Sequence, residues 1–221
     1  MRGLDAKHNS NLRFNDPEGV RVWELIKELL DKDYFAKGVL SDDYPTAFGK
    51  FFRGDAAFMQ TGGWLLGEWF AQKDPQIKLN FMLLPAIDGI ANSNADEVSF
   101  NARTLIVPKD SKHPNEAKEF VKWYLQSEDP HKIWYSYLPG EAPPMPLKKK
   151  MRNLKPESTR LVNLLDNAPA LTIMIERAMD YNIGQEILWQ GSTGVISGAL
   201  TPKEAADRAE DLVLKWRKKR S

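Results

Sequence analysis

The chain has no cysteine. That excludes disulfides, thiolate nucleophiles and thiolate metal ligands. Its three histidines, His8, His113 and His131, lie far apart and make no metal-ligand spacing. No charge of one sign dominates: 31 Lys and Arg against 30 Asp and Glu leave a net charge of +1. A general attraction to nucleic acid or to an anionic membrane is therefore not expected. No run is long and apolar enough to span a bilayer. The opening MRGLDAKHNSNLRFNDPEG lacks the apolar core of a signal peptide. There is no Gly-x-Ser-x-Gly, no His-Glu-x-x-His and no Lys-bearing phosphate loop. No cofactor or metal is expected, and no repeat or low-complexity segment is present.

What remains is an ordinary globular composition, 42% hydrophobic and 28% charged over 221 residues, enough for one large domain or two small ones. Seven Trp, ten Phe and six Tyr make it rich in aromatics. Such rings build cores, and they also stack on sugars.

Residues 51–64, FFRGDAAFMQTGGW, are the most informative stretch. The short run from Ala56 to Met59 predicts a buried strand. Gly62 and Gly63 allow a sharp turn and close approach to the backbone. Trp64 then falls in the first turn of a helix through Leu65, Leu66, Glu68, Trp69 and Phe70.

Elsewhere, Asp16-Pro17 opens a helix ending near Asp33, since Asp caps and Pro suits the first position. A short helix covers Thr46–Phe52. Ile77, Leu79, Phe81 and Leu83 alternate with outward positions and predict a strand, as does Thr104–Val107. Pro114 opens a helix with Ala117, Phe120, Val121, Tyr124 and Leu125 on one stripe. LPGEAPPMP (138–146) predicts a turn-rich loop. Helical spacing resumes over Ser158–Asn167, from Ala170 to Met179, and from Ile183 to Gly198. Thr201-Pro202-Lys203-Glu204 is a capping box before a last helix with Ala205, Ala206, Ala209, Leu212, Val213 and Trp216 inward.

The 51–64 stretch resembles a motif of the extracellular solute-binding proteins of ABC importers, the sugar-binding family that includes maltose-binding protein. Phe51, Gly54, Ala56, Ala57, Met59, Gly62 and Trp64 carry the match. It is extended in order by Ala117, Phe120, Tyr124 and Leu125, by the 138–146 loop, and by Thr201-Pro202-x-Glu204-Ala205. The resemblance implies an α/β, periplasmic-binding-protein type II-like fold, mainly its C-terminal lobe with a strand-helix piece of the N-terminal lobe. Residues 1–100 and 145–221 are then the two parts of the C-terminal lobe, and 101–144 crosses to the other lobe. It also implies a truncated C-terminal portion of a longer protein that is periplasmic or extracellular. The implied partners are a sugar or other polar solute and ABC permease subunits. The orphaned strand would have an unpaired sheet edge, through which a homodimer could form.

The same resemblance nominates site residues. Trp64 is a flat face for a pyranose ring. Gly62 and Gly63 admit ligand to the backbone, although a plain turn requirement explains them equally. Asn101 lies where the family crosses the cleft; its bland reading is a loop Asn bonding its own backbone. Glu141 would take two hydroxyls, or is simply an exposed loop Glu. Gln185 sits where family members turn a side chain toward ligand, and Trp189, one turn on, is read mainly as core. Tyr44 and Asp42 are weaker candidates. The expected role is non-catalytic. The rivals are a degenerate lobe serving as an interaction module and a carbohydrate-active enzyme, for which Glu68 with Glu141 is the pair to test.

Overall fold

A computed structural model of the chain describes residues 13–72, 77–88, 98–100, 105–137, 155–168, 171–175 and 179–219. It divides into two compact units. One comprises 1–47, 83–101 and 169–221; the other comprises 48–82 and 102–168.

The first unit is built on α1 (Pro17–Asp31) and the C-terminal helices. Pro17 is the first residue of α1, because the Pro ring presets the helical φ and the lost N–H was an orphan anyway. Asp16 holds the N-cap position, but its side chain caps no helix N–H and instead accepts from the Arg13 N–H at 2.9 Å. Tyr181–Gln185 (α7) runs through a π-helical turn, Glu186–Gln190, into Gly191–Ser197 (α8). Pro202–Lys218 (α9) follows a capping box in which Thr201 and Glu204 satisfy each other's backbone N–H. The Thr201 backbone N–H, bonded to the Glu204 carboxylate, holds that carboxyl below its ordinary value. The core joins Trp23, Ile187, Val195, Ala205, Ala206, Ala209, Val213 and Trp216, all under a tenth exposed. Small residues on α9 let the helix approach closely, and a Cβ at Gly191 would stand 2.4 Å from Trp23 Cη2. That glycine is therefore a packing requirement. At the rim, Glu210, only 4% exposed, accepts from the Phe14 N–H at 2.9 Å and from Arg13 Nη1 at 3.2 Å. A buried carboxylate needs such partners.

This unit also contains β1 (Val98–Phe100) and β2 (Leu171–Ile173), paired in parallel with Val98 opposite Leu171.

The second unit holds α3 (Leu65–Ala71), α4 (Pro114–Gln126), α5 (Glu128–Tyr137) and α6 (Pro156–Asp166). The helix α2 (Tyr44–Phe52) leads the chain into it. Its core centres on Leu66, Leu79 and Leu161, with Phe51, Trp69, Phe70, Ile77, Phe81 and Leu165 packed around. Arg160 donates to the Leu79 carbonyl at 3.1 Å, fastening α6 to the 77–83 segment.

The α/β layout expected from the sequence is not what the described residues show. They are predominantly helical, and their strand content is two three-residue segments. The 77–83 segment alternates as a strand should, with Leu79 buried and Lys78, Asn80 and Met82 outward, yet it has no ladder. Alternation reports which side faces the core; a strand also needs a neighbour to take its N–H and C=O groups. Residues 56–60 are likewise non-regular, and Phe58 is 80% exposed rather than buried. Residues 105–107 are not strand either, so the expected unpaired edge does not form there. Leu171–Ile173 is strand where the spacing predicts helix. The helix α5 has no counterpart among the elements expected from the sequence. Pro130 sits in the first turn, behind Glu128 and Asp129, where proline is tolerated and acids are favoured.

Candidate functional site

The helix α3 begins in a tight turn. Leu65 N–H donates to the Gly62 carbonyl at 3.1 Å, and Leu66 N–H to that of Gly63 at 3.1 Å. Trp64 is the N-cap, already helical at φ −59° and ψ −25°. Leu65 and Leu66 enter the core, at 5% and 0% exposure, while Trp64 is 43% exposed. The reason is rotational. Adjacent helical residues differ by about 100°, so burying two consecutive leucines turns the preceding side chain toward the surface.

Gly62 sets the ring. A Cβ built there would lie 1.9 Å from Trp64 Cζ3 and 2.3 Å from Cη2. The benzo edge of the indole therefore rests on the Gly62 backbone. Only a residue without a side chain leaves that seat open. The arrangement gives a supported aromatic surface beside bare backbone. In chemical terms it can stack on the C–H face of a ring and offers main-chain groups nearby for hydroxyls. On either side of Trp64 in the chain, Thr61 Oγ1 and Trp69 Nε1 are buried with no hydrogen-bond partner among the described residues. Thr61 is the site residue that the sequence reading did not single out.

Replacing Gly62 by Ala is expected to expel the indole from its seat. The cost should be about 0.5–1.5 kcal/mol, the range for one side chain forced from its rotamer. Near-ultraviolet circular dichroism should change while the far-ultraviolet spectrum stays as in the parent. Unchanged near-ultraviolet bands would mean that the ring does not rest there.

The other sequence candidates are distributed differently. Gly62, Gly63 and Trp64 come together in the second unit. Gln185 closes α7 in the first unit and is half-buried, at the entry to the π turn. Asn101 and Glu141 lie outside the described residues. Asp42 is half-buried and Tyr44 is 50% exposed. Trp189, read mainly as core, is instead 68% exposed. Ile187 and Gly191 form the buried line of this helix. Trp189 lies two residues from each of them, about half a helical turn round, so it points away from that line. Arg208 clasps the turn from α9, donating to Gln190 Oε1 at 2.6 Å and lying 3.9 Å from Glu186.

Among the described residues no group of three or more His, Asp or Glu could hold a metal ion. Glu68, one turn beyond Trp64, is exposed.

No curated protein matches the chain. Its fold is similar to that of a solved structure named "Chitin oligosaccharide binding protein", with a TM-score of 0.77 and 18% sequence identity. The similarity covers 98% of this chain and 53% of that one, so the chain spans about half the length of that protein. Residues 4–129, more than half of the sequence, match the model of a family described as bacterial extracellular solute-binding protein. The chain belongs to the family of bacterial extracellular solute-binding proteins.

Proposed function

We propose that this chain captures a mono- or oligosaccharide for an ABC importer, and that Trp64 is the platform on which the sugar stacks. The observation that carries this reading is an indole held on the Gly62 backbone and turned to the surface, in a chain of a solute-binding family. Gly63 belongs to the same surface. Asn101, Glu141 and Gln185 are proposed as polar contacts to hydroxyls. The structural neighbour's name makes chitin oligosaccharides the first ligands to try. The role is extracellular or periplasmic, with permease subunits as downstream partners. Capture is non-catalytic: ligand binding favours a closed state that the permease recognises.

The chain is further proposed to be the C-terminal portion of a two-lobed binder. One wall of a cleft supplies only part of the binding energy. Saccharide affinity of the chain alone is therefore expected to be weak, with a Kd of about 0.1–10 mM, equivalent to about −2.7 to −5.5 kcal/mol. Titration calorimetry with chitin and malto-oligosaccharides checks this. Trp64→Ala should abolish the heat of binding. Binding untouched by that substitution overturns the platform, and submicromolar affinity in the parent overturns the one-wall reading.

A further inference from the structure

The short segment ahead of α1 is stitched to α9. Three consecutive residues are tied to that helix, and each tie ends on a carboxylate. Glu210 accepts from the Phe14 N–H and from the Arg13 guanidinium. One turn earlier on α9, Asp207 Oδ1 accepts from Asn15 Nδ2 at 2.9 Å. The segment is also closed on itself. The Asp16 N–H donates to the Arg13 carbonyl at 3.3 Å, and the Asp16 carboxylate takes the Arg13 N–H. Residues 13–16 therefore form a compact turn that seats or lifts as one piece, with Phe14 leaning on the apolar core.

Glu210 is the unusual member. It shares the buried face of α9 with Ala206, Ala209 and Val213. An apolar side chain at that place would pack without polar cost. A carboxylate is stable there only while Arg13 and Phe14 supply its partners. Fastening and core thus differ in kind. The core that joins α1 to α9 is apolar and indifferent to protons. The fastening depends on ionised carboxylates. Protonation turns one carboxyl oxygen into a donor and removes the charge that holds Arg13.

We infer that residues 13–16 are an acid-released latch, seated on α9 while Glu210 and Asp207 are ionised and lifted when they are protonated, with α1 and α9 still packed on each other. The charged groups around it set its direction. Arg13 faces Glu210 from the segment, and Lys203 of α9 is bonded to Asp207. The α1 cation Arg21 is engaged with Glu24 and Glu28. Arg208 of α9 is engaged with Gln190 and Glu186 of the π turn. Lys203 first, and then Asn15, hold the Asp207 carboxyl below its ordinary value. Ties made to the ionised form are present at neutral pH and are lost as the pH falls. For Asp207 the loss comes below the ordinary aspartate value of about 3.9. The latch belongs to the first unit and makes no use of Trp64, so the inference stands apart from the proposed function.

The test is amide exchange of the nitrogen-15-labelled chain by NMR, from about pH 7 to about pH 3, a span that brackets carboxylate titration. Results are taken as protection factors, which remove the intrinsic pH dependence of exchange. Phe14 is the direct reporter, since its own N–H is bonded to Glu210. Its protection should fall at least about tenfold across the span, while that of Val213, inside α9, should change less than about threefold, the mark of a local opening. In Glu210→Gln, Phe14 should be less protected already at neutral pH, and most of its pH dependence should be gone. Asp207→Ala should lower Phe14 protection severalfold at neutral pH with far-ultraviolet dichroism unchanged. Asp211→Asn, at an exposed position of the same helix, should leave Phe14 as in the parent. Protection of Phe14 that persists to acid overturns the inference. So does a loss that Phe14 and Val213 share, or a pH profile in Glu210→Gln like that of the parent. If Glu210→Gln fails to fold, the parent titration and Asp207→Ala decide.

Discussion

Trp23→Ala should lower the stability of the chain by about 3–5 kcal/mol, the range for deleting a buried indole. Trp23 is 5% exposed at the centre of the first unit's core. Its ring is seated against the bare backbone of Gly191. That seat cannot collapse around an alanine, because it is formed by main chain held in a helix and not by side chains free to swing inward. The cavity term therefore adds nearly in full to the lost transfer energy. Set against a typical total stability of about 5–15 kcal/mol, the loss is a large fraction. Thermal unfolding should begin roughly 10 °C lower for a chain of this size. Urea unfolding with amide exchange at 202–218 measures it directly, since α9 packs on α1 through this core. A loss under about 1 kcal/mol would mean that Trp23 does not organise the unit.

Much of this unit could be read from the sequence. Pro17 at the first helical position and the Thr201-Pro202-Lys203-Glu204 box are local devices, so no tertiary knowledge is needed to see them. The cap expected of the Asp16 side chain does not form, because that carboxylate accepts from the Arg13 N–H instead. The inward stripe of α9 needs only the helical period. What could not be read was the sheet. A strand is stabilised by hydrogen bonds to a neighbour that the local pattern does not name. The 77–83 segment has the right alternation and no ladder, whereas Leu171–Ile173 pairs with Val98–Phe100 from far along the chain. The α/β expectation failed at that step. Trp189 failed for a different reason: its residue type suggested core, while the buried positions of the same helix, Ile187 and Gly191, leave it on the opposite side.

The platform was partly legible. The Gly-Gly-Trp sequence said that backbone would be approached closely, but not by what. In the structure it is the Trp64 ring itself that approaches Gly62. A glycine expected to admit a ligand thus first serves the indole proposed to meet that ligand. The two roles are compatible, because the benzo edge rests on the backbone while 43% of the residue remains exposed. Thr61 was passed over because a threonine in a turn is unremarkable until its hydroxyl proves to be buried without a partner among the described residues.

The second large effect is expected at Leu66, and it separates folding from function within one short helix. Leu66 is fully buried and shares its core with Leu79 and Leu161. Leu66→Ala should cost about 2–5 kcal/mol. With only seven residues, α3 has little stability of its own, so its packing through Leu65 and Leu66 is what holds it. Loosening that anchor frees the turn in which Leu66 N–H is bonded to the Gly63 carbonyl. The indole would then lose its fixed orientation while remaining in place chemically. Amide exchange at 65–71 should rise, the near-ultraviolet signal should weaken, and any saccharide heat should fall severalfold below that of the parent at a temperature where helix content is retained. Trp64→Ala, by contrast, should remove the heat with little change in exchange. Should Leu66→Ala raise exchange yet leave saccharide binding intact, ordered presentation of the ring would be irrelevant to capture. The platform reading would then have to give way to one in which the backbone of 61–63 alone makes the contact.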